Sequence, residues 1–212
     1  MLLVFMIIIF VSAGRLTYWQ GWVYCGASLV LFLTSSVSFV NKTDVVEERA
    51  KPGPGIKWWD KVFFAFYLPM YLAVYSVACL DAGRFGWSPP LPAVVYVLGY
   101  LALFLAHYLV MWAMWVNTFF SSTVRIQSDR GHTVVQDGPY RLIRHPGYVG
   151  AIIMPTCFSL VLGSLWGLIP SGIIAVLLII RTYLEDMTLQ KELPGYAAYA
   201  EKVRYRLVPG IW

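Results

Sequence analysis

His145 is the residue of this sequence best placed to do chemistry, and it stands in a polar segment, 117–148, between two apolar runs. Pro146 disfavours helix at the residue before it, which predicts a fixed break in the chain around His145 and Tyr148. A histidine there could accept a proton from a substrate or donate a hydrogen bond to a bound carboxylate. Irregular backbone at a membrane edge is tolerated where it lines a cavity, so the break predicts a cofactor cavity. A purely structural histidine before proline is the alternative.

The rest of this segment carries signals for short, irregular pieces of structure. Arg130 and Gly131 predict a turn, and the alternation over 132–135 predicts a short extended piece. Gly138 and Pro139 predict the start of a helical turn, because proline suits the first helical position. These pieces contain more polar side chains than a connection between two helices needs.

Arg181 and Glu185 form a second candidate site, directly after the apolar run that follows the polar segment 117–148. They are four residues apart, so on a helix both lie on one face. A surface ion pair in this order would contribute only about 0.3–0.5 kcal/mol. A role in binding and a simple surface pair are both consistent with the spacing.

The composition indicates that these residues are positioned by membrane helices. Hydrophobic residues make up 59% of the 212 residues, charged residues only 13%, and the mean hydropathy is +0.66. Soluble domains have roughly 25% charged residues, so a soluble chain of this size could not cover its surface. The length suggests one domain. Disordered, coiled-coil, collagen and disulfide-rich chains are excluded by the same composition.

Uncharged runs predict an all-α, polytopic membrane bundle of about six transmembrane helices, or five if the first does not span. The first run, 1–14, is short for a span at about 1.5 Å per residue, although it could cross a thinned bilayer. The last run is too long for one helix and is expected to turn at Gly163 and Ser164. Three prolines predict a non-helical outer loop over 81–92. The expected spans are 1–14, 18–40, 62–80, 93–117, 147–162 and 165–181.

Lysine and arginine predict the orientation. With both termini in the cytoplasm, the inner segments are 41–61, 121–144 and 181–212. Only Arg15 and Arg84 then fall outside, so 14 of the 16 basic residues lie inside, as the positive-inside rule requires. The net charge of +5 is explained by this basic face. Nucleic acid is not an expected partner, because the sequence shows no basic recognition helix or aromatic module.

The three cysteines, Cys25, Cys79 and Cys157, all lie in predicted spans and form no C-x-x-C pair or cluster with histidine. This pattern favours small buried apolar side chains over a metal site or a disulfide. We therefore expect no metal.

The run GPYRLIRHPGYVG, followed by R-x-x-x-E at 181–185 and then by GYAAY and VRYRLVP, resembles the isoprenylcysteine carboxyl methyltransferase family. That family belongs to a wider set of membrane methyltransferases that includes the phospholipid N-methyltransferases. The resemblance covers roughly residues 117–212. Upstream, the loop ERAKPGPGIKWWDK looks like that of short prokaryotic members. Membrane sterol reductases carry a similar RHPNY-type stretch but usually have a glutamate soon after it, where this chain has Ala151 and Ile152.

The resemblance implies a single methyltransferase domain over 1–212 that binds S-adenosylmethionine with a cytoplasmic loop region and C-terminal helix, about 117–206. It places Arg181 near the acceptor carboxylate and Glu185 against the cofactor. Because Glu185 is followed by Asp186, the alignment there is uncertain by one residue. The implied cofactor contacts are Gln127, His132, Thr133, Val134, Val135, Tyr140, His145, Pro146, Gly147, Tyr148 and Glu185.

The implied reaction is methyl transfer from a sulfonium to a lipophilic or prenylated acceptor, in or beside the lipid bilayer. A carboxylate acceptor is already ionised at pH 7 and needs no base, whereas an amine would need one, for which His145 is the candidate. Catalytic roles then fall on Arg181, Glu185 and His145. An NADPH-dependent membrane reductase and a non-catalytic membrane protein or transporter are the alternatives. A prokaryotic member would lie in the inner membrane.

Overall fold

The computed structural model describes residues 2–50 and 55–212. Met1 and residues 51–54, including the predicted inner residue Lys51, lie outside the described residues. In the described part the chain forms eight α-helices, with 3-10 and π-helical turns and no strand, so the predicted all-α membrane bundle is confirmed. The α-helices are α1 Leu2–Ala13, α2 Trp19–Ser38, α3 Thr43–Ala50, α4 Trp58–Ala78, α5 Ala93–Val116, α6 Pro146–Val161, α7 Leu168–Glu192 and α8 Tyr196–Lys202.

Four of these helices are long and apolar enough to cross a membrane: α2, α4 with the π-helical turn that follows it, α5 and α7. The helices α1 and α6, with 12 and 16 residues, are shorter. At about 1.5 Å per residue α1 covers roughly 18 Å, which is less than the thickness of a hydrocarbon core. The predicted spans over 1–14 and 147–162 therefore stay predictions.

The prediction of a non-helical loop over 81–92 was wrong in its first half. A π-helical turn, Cys79–Phe85, continues α4, and only the residues from Gly86 onward are irregular. Asp81 is buried in this turn and accepts a hydrogen bond from the backbone N–H of Ser88 at 2.6 Å. The turn can form because the prolines begin only at Pro89, after it has closed.

The helices α5, α6 and α7 make the closest contacts and carry the predicted site at one end. Gly150 allows α6 to approach α5, since a Cβ atom there would lie 2.5 Å from the carbonyl oxygen of Ala106. Deeper in the bundle an aromatic core joins α2, α4 and α6, in which the Tyr24 and Tyr75 hydroxyls are 2.7 Å apart. Inside a bilayer such contacts stabilise the bundle through close packing and interhelical hydrogen bonds, because lipid tails are as apolar as the core.

Candidate active site

A cavity of about 250 Å³ lies where α3, α4, α6, α7 and α8 meet the segment between α5 and α6. The structure brings all but one of the predicted site residues to its wall. Pro146 is the exception: it is buried at the start of α6 and does not line the cavity. The predicted residues on the wall are Gln127, His132, Thr133, Val134, Val135, Tyr140, His145, Gly147, Tyr148, Arg181 and Glu185.

The break at His145 exists as predicted, and the C-terminal segment holds it in place. The helical turn Gly138–Arg141 ends before it, and α6 begins at Pro146. The backbone N–H groups of Arg144 and His145 donate to the carbonyl oxygens of Tyr205 and Arg206, at 2.9 and 3.0 Å. The backbone donors left free by the break are therefore satisfied by residues some 60 positions further along the chain.

Asp186 is the centre of a buried polar network behind the cavity. Its carboxylate is fully buried and accepts hydrogen bonds from Arg144 at 2.7 and 3.0 Å and from Arg206 at 2.8 Å. Tyr196 donates to it at 3.1 Å, and the Nε2 atom of His145 also lies 3.1 Å away. These bonds fix the orientation of the His145 ring, since a ring nitrogen bonded to a carboxylate cannot rotate freely.

Arg144 joins this network to the C-terminal segment. Its Nη1 atom donates to the carbonyl oxygens of Val203 at 2.7 Å and Arg204 at 2.9 Å. Burial alone would lower the pKa of Arg144, but the hydrogen bonds and the charge of Asp186 outweigh it and raise that pKa. Arg144 and Asp186 thus form a permanently charged pair that ties the end of the chain to the cavity.

A second buried ion pair joins α7 to α4. Asp60 is fully buried in the first turn of α4 and accepts from Arg181 Nε at 2.8 Å and Nη2 at 3.3 Å. Asp60 also accepts from the backbone N–H of Val124 at 2.8 Å, and Arg181 Nη2 donates to the carbonyl oxygen of Ser122 at 2.6 Å. The direct ion pair of Arg181 is therefore with Asp60, while Glu185 acts on Arg181 only through its charge, without the contact that the surface-pair interpretation requires.

Glu185 is half-buried on the cavity wall, where the Tyr148 hydroxyl donates a hydrogen bond to its carboxylate. The guanidinium carbon of Arg181 lies 5.6 Å from the centre of the Tyr148 ring. Tyr148 thus lies between the Arg181 guanidinium, which is paired with Asp60, and the Glu185 carboxylate.

The loop between α5 and α6 forms the remaining wall around Gln127 and His132. The N–H of the buried Gln127 donates to His132 Nδ1 at 3.3 Å, and the His132 ring lies 4.6 Å from that of Phe119. Burial, reinforced by Arg125 and Arg130, lowers the pKa of His132 to about 4, so the ring is neutral at pH 7. Residues 132–135 are irregular, without the strand pairing that an extended piece could have formed.

The cavity also contains a polar atom with an unmet hydrogen bond. The Thr123 hydroxyl is buried on the wall and has no partner among the described residues. Buried polar groups are nearly always hydrogen-bonded, and those that are not call for a ligand or a water. Together with the half-buried Glu185, Thr123 makes the cavity suited to a ligand with hydrogen-bond donors.

Several residues on or beside the cavity were not predicted from the sequence: Arg49, Asp60, Thr123, Arg144, Asp186 and Tyr196. Asp60 had a usable signal, because it is an acid just before the predicted span 62–80. Ionisable residues at such positions are expensive to bury and commonly functional. Asp186 was adjacent to the predicted acid, but the sequence did not show which of the two faces the cavity.

Residues 94–194 match the family model for phospholipid methyltransferase, a range that contains α6, α7, all of α5 except Ala93, and the segment between α5 and α6. No curated protein matched the chain.

Proposed function

We propose that this chain, whose residues 94–194 match the family model for phospholipid methyltransferase, is a membrane methyltransferase that methylates a lipophilic carboxylate with S-adenosylmethionine as donor. The observation that carries the proposal is the cavity, whose wall combines the Glu185 carboxyl group, an unpartnered Thr123 hydroxyl and aromatic rings with four arginines. The acceptor we propose is isoprenylcysteine-like, with a carboxylate attached to a long apolar chain.

The residues present fit this donor, which supplies an electrophilic methyl group on a sulfonium. Glu185 could accept hydrogen bonds from a ribose or an ammonium group, and Thr123 could exchange one with the same ligand. Val134, Val135 and Tyr140 supply flat apolar walls for a purine ring. The negative charge of Glu185 and the face of the Tyr148 ring favour a cation between them.

The kind of acceptor determines whether His145 must act as a base. A carboxylate with a reference pKa near 4 is ionised at pH 7 and needs no base. The Nε2 atom of His145 lies against Asp186, which orients the ring on the cavity wall, and a carboxylate acceptor requires no proton transfer from it. Alignment of reactants and exclusion of water can supply about 7–11 kcal/mol of the barrier. Leu178, Ala151 and Phe64 line the apolar part of the cavity, where the chain of the acceptor would lie.

Methylation of a phospholipid amine is the second candidate, because the matched family model is that of phospholipid methyltransferases. An amine acceptor must lose a proton, for which His145 would serve as base through Nδ1 while its Nε2–H donates to Asp186. The family match gives no support to the reductase alternative.

The function is tested by titrating the purified protein in uncharged detergent with S-adenosylmethionine and, separately, with NADPH. We expect binding of the first and no heat from the second. Radiolabelled methyl should then pass to N-acetyl-S-farnesylcysteine and not to phosphatidylethanolamine. Transfer to phosphatidylethanolamine alone would replace the first candidate with the second. Binding of NADPH alone would reject methyl transfer altogether.

We further propose that the chain is multi-pass, in the inner membrane of a prokaryote, with both termini and the cavity cytoplasmic. The distribution of basic residues supports this orientation. A cysteine placed at position 132, in a variant without native cysteines, should be protected from membrane-impermeant thiol reagents in intact cells. It should react after permeabilisation. Labelling at 132 from outside would reverse the orientation, and a cysteine in the 86–92 loop serves as the outer control.

A further inference from the structure

Arg49 reaches the cavity from α3, a segment that lies outside the matched family region. Its Nη1 atom lies 3.4 Å from the sulfur of Met114, and its guanidinium carbon is 4.9 Å from the centre of the Phe120 ring. Its carbonyl oxygen accepts from the Ser122 hydroxyl at 2.6 Å, which fixes α3 against the loop after α5. The guanidinium group of Arg49 is thus held against the sulfur of Met114 and the aromatic ring of Phe120.

Arg49 differs from the other arginines of the cavity in its charge balance. Arg181 is paired with Asp60 at 2.8 Å, Arg144 with Asp186 at 2.7 Å, and Arg125 with Asp129 at 2.9 Å. Among the side chains that the structure describes, no carboxylate forms an ion pair with Arg49. Burial lowers the pKa of Arg49. The positive charge of Arg181 acts in the same direction, because the two guanidinium groups repel each other.

The neighbouring guanidinium groups of Arg49 and Arg181 have one ion-pair partner between them, the carboxylate of Asp60. One positive charge therefore remains on this side of the cavity. A buried charge without a partner is costly, and its cost falls when an anion binds beside it. On the other side lies the Glu185 carboxylate, which accepts a hydrogen bond from the Tyr148 hydroxyl. The cavity is therefore polarised, with a positive end at Arg49 and a negative end at Glu185.

We propose that Arg49 binds the negative charge of the methyl acceptor and thereby selects amphiphiles with an anionic head group over neutral ones. The description of the bound molecule as the acceptor rests on the proposed function, whereas the anion site rests on the charges alone. Arg181 has its Nε and Nη2 atoms engaged with Asp60 and Ser122, so it positions the acceptor through Nη1 while Arg49 supplies the uncompensated charge. The acceptor head then lies between the two guanidinium groups, opposite Glu185.

The test compares the binding of an acid with that of its neutral analogue, in the absence of any methyl donor. N-acetyl-S-farnesylcysteine is titrated against its primary carboxamide, and phosphatidic acid against diacylglycerol, in uncharged detergent. The wild-type protein should prefer the anionic member of at least one pair by roughly tenfold or more. Arg49→Gln should abolish the preference, and Arg49→Lys, which keeps the charge, should retain most of it.

Arg141→Gln is the matched control, because Arg141 is exposed, pairs with Asp137 at 2.8 Å and lies outside the cavity wall. It should leave the preference unchanged, and Arg49→Lys shows that loss in Arg49→Gln is not loss of folding. An unchanged preference in Arg49→Gln, or no preference for either anion in the wild type, would overturn the proposal. Since no donor is present, an Arg49-dependent preference would stand even if the chain transferred no methyl group.

Discussion

Replacing Asp186 with alanine is expected to lower the free energy of unfolding by about 3–5 kcal/mol, the usual cost of removing one partner of a buried ion pair. The side chain accepts from Arg144, Arg206 and Tyr196, so its loss leaves two guanidinium groups and a hydroxyl without their acceptor. The temperature of unfolding in detergent should fall by roughly 6–20 °C, at about 2–4 °C for each kcal/mol.

The same substitution should release the C-terminal segment before the bundle unfolds. Arg144 holds the carbonyl oxygens of Val203 and Arg204 and is itself oriented by Asp186. Limited proteolysis should therefore cut the segment after α8 in Asp186→Ala and spare it in the wild type. Asp137→Ala is the control, because the Asp137–Arg141 pair is exposed, and exposed pairs contribute only about 0.2–1 kcal/mol. Equal stability of the two variants would contradict the structural role of Asp186.

Substitutions at Glu185 and at Arg181 are expected to have separate effects, the first on binding of the methyl donor and the second on turnover of the acceptor. Glu185→Gln keeps the shape and removes the charge, so the affinity for S-adenosylmethionine should fall by roughly 10- to 100-fold, the effect of one charged hydrogen bond. Arg181→Lys keeps a positive charge beside Asp60 but loses the planar group that donates to Asp60 and Ser122. It should leave the affinity for the donor nearly intact and lower turnover by about 100-fold, the cost of a misplacement near 1 Å.

Donor titration and initial rates on the two variants decide between separate roles and a purely structural one. Glu192→Gln is the matched control for Glu185→Gln, because Glu192 lies on the same helix, outside the cavity, and pairs with Lys57 at 2.7 Å. It should change neither quantity. Small and equal effects of Glu185→Gln and Arg181→Lys on both measurements would refute the division of roles.

The sequence by itself determined the elements that depend on local properties. Uncharged runs of sufficient length predicted α2, α4 and α5 within a few residues, because apolar surface must be kept from water wherever the chain lies. They also predicted α7, which extends past the expected end at 181 to Glu192. Pro146 predicted the break at His145, since its ring clashes with a helical conformation of the preceding residue. Gln127 and Tyr148 were indicated by the family resemblance, and both line the cavity.

Only the tertiary structure decided how the charges are paired. Asp60 and Arg181 are 121 residues apart, and their pairing follows from the packing of α4 on α7. Successive residues on a helix point about 100° apart, so Asp186 faces the buried network while Glu185 faces the cavity. Hydropathy and turn signals act within one segment, whereas the partner of a buried charge is set by which helices touch. For that reason Arg49, in the predicted inner segment 41–61, became part of the cavity wall only when the helices were assembled.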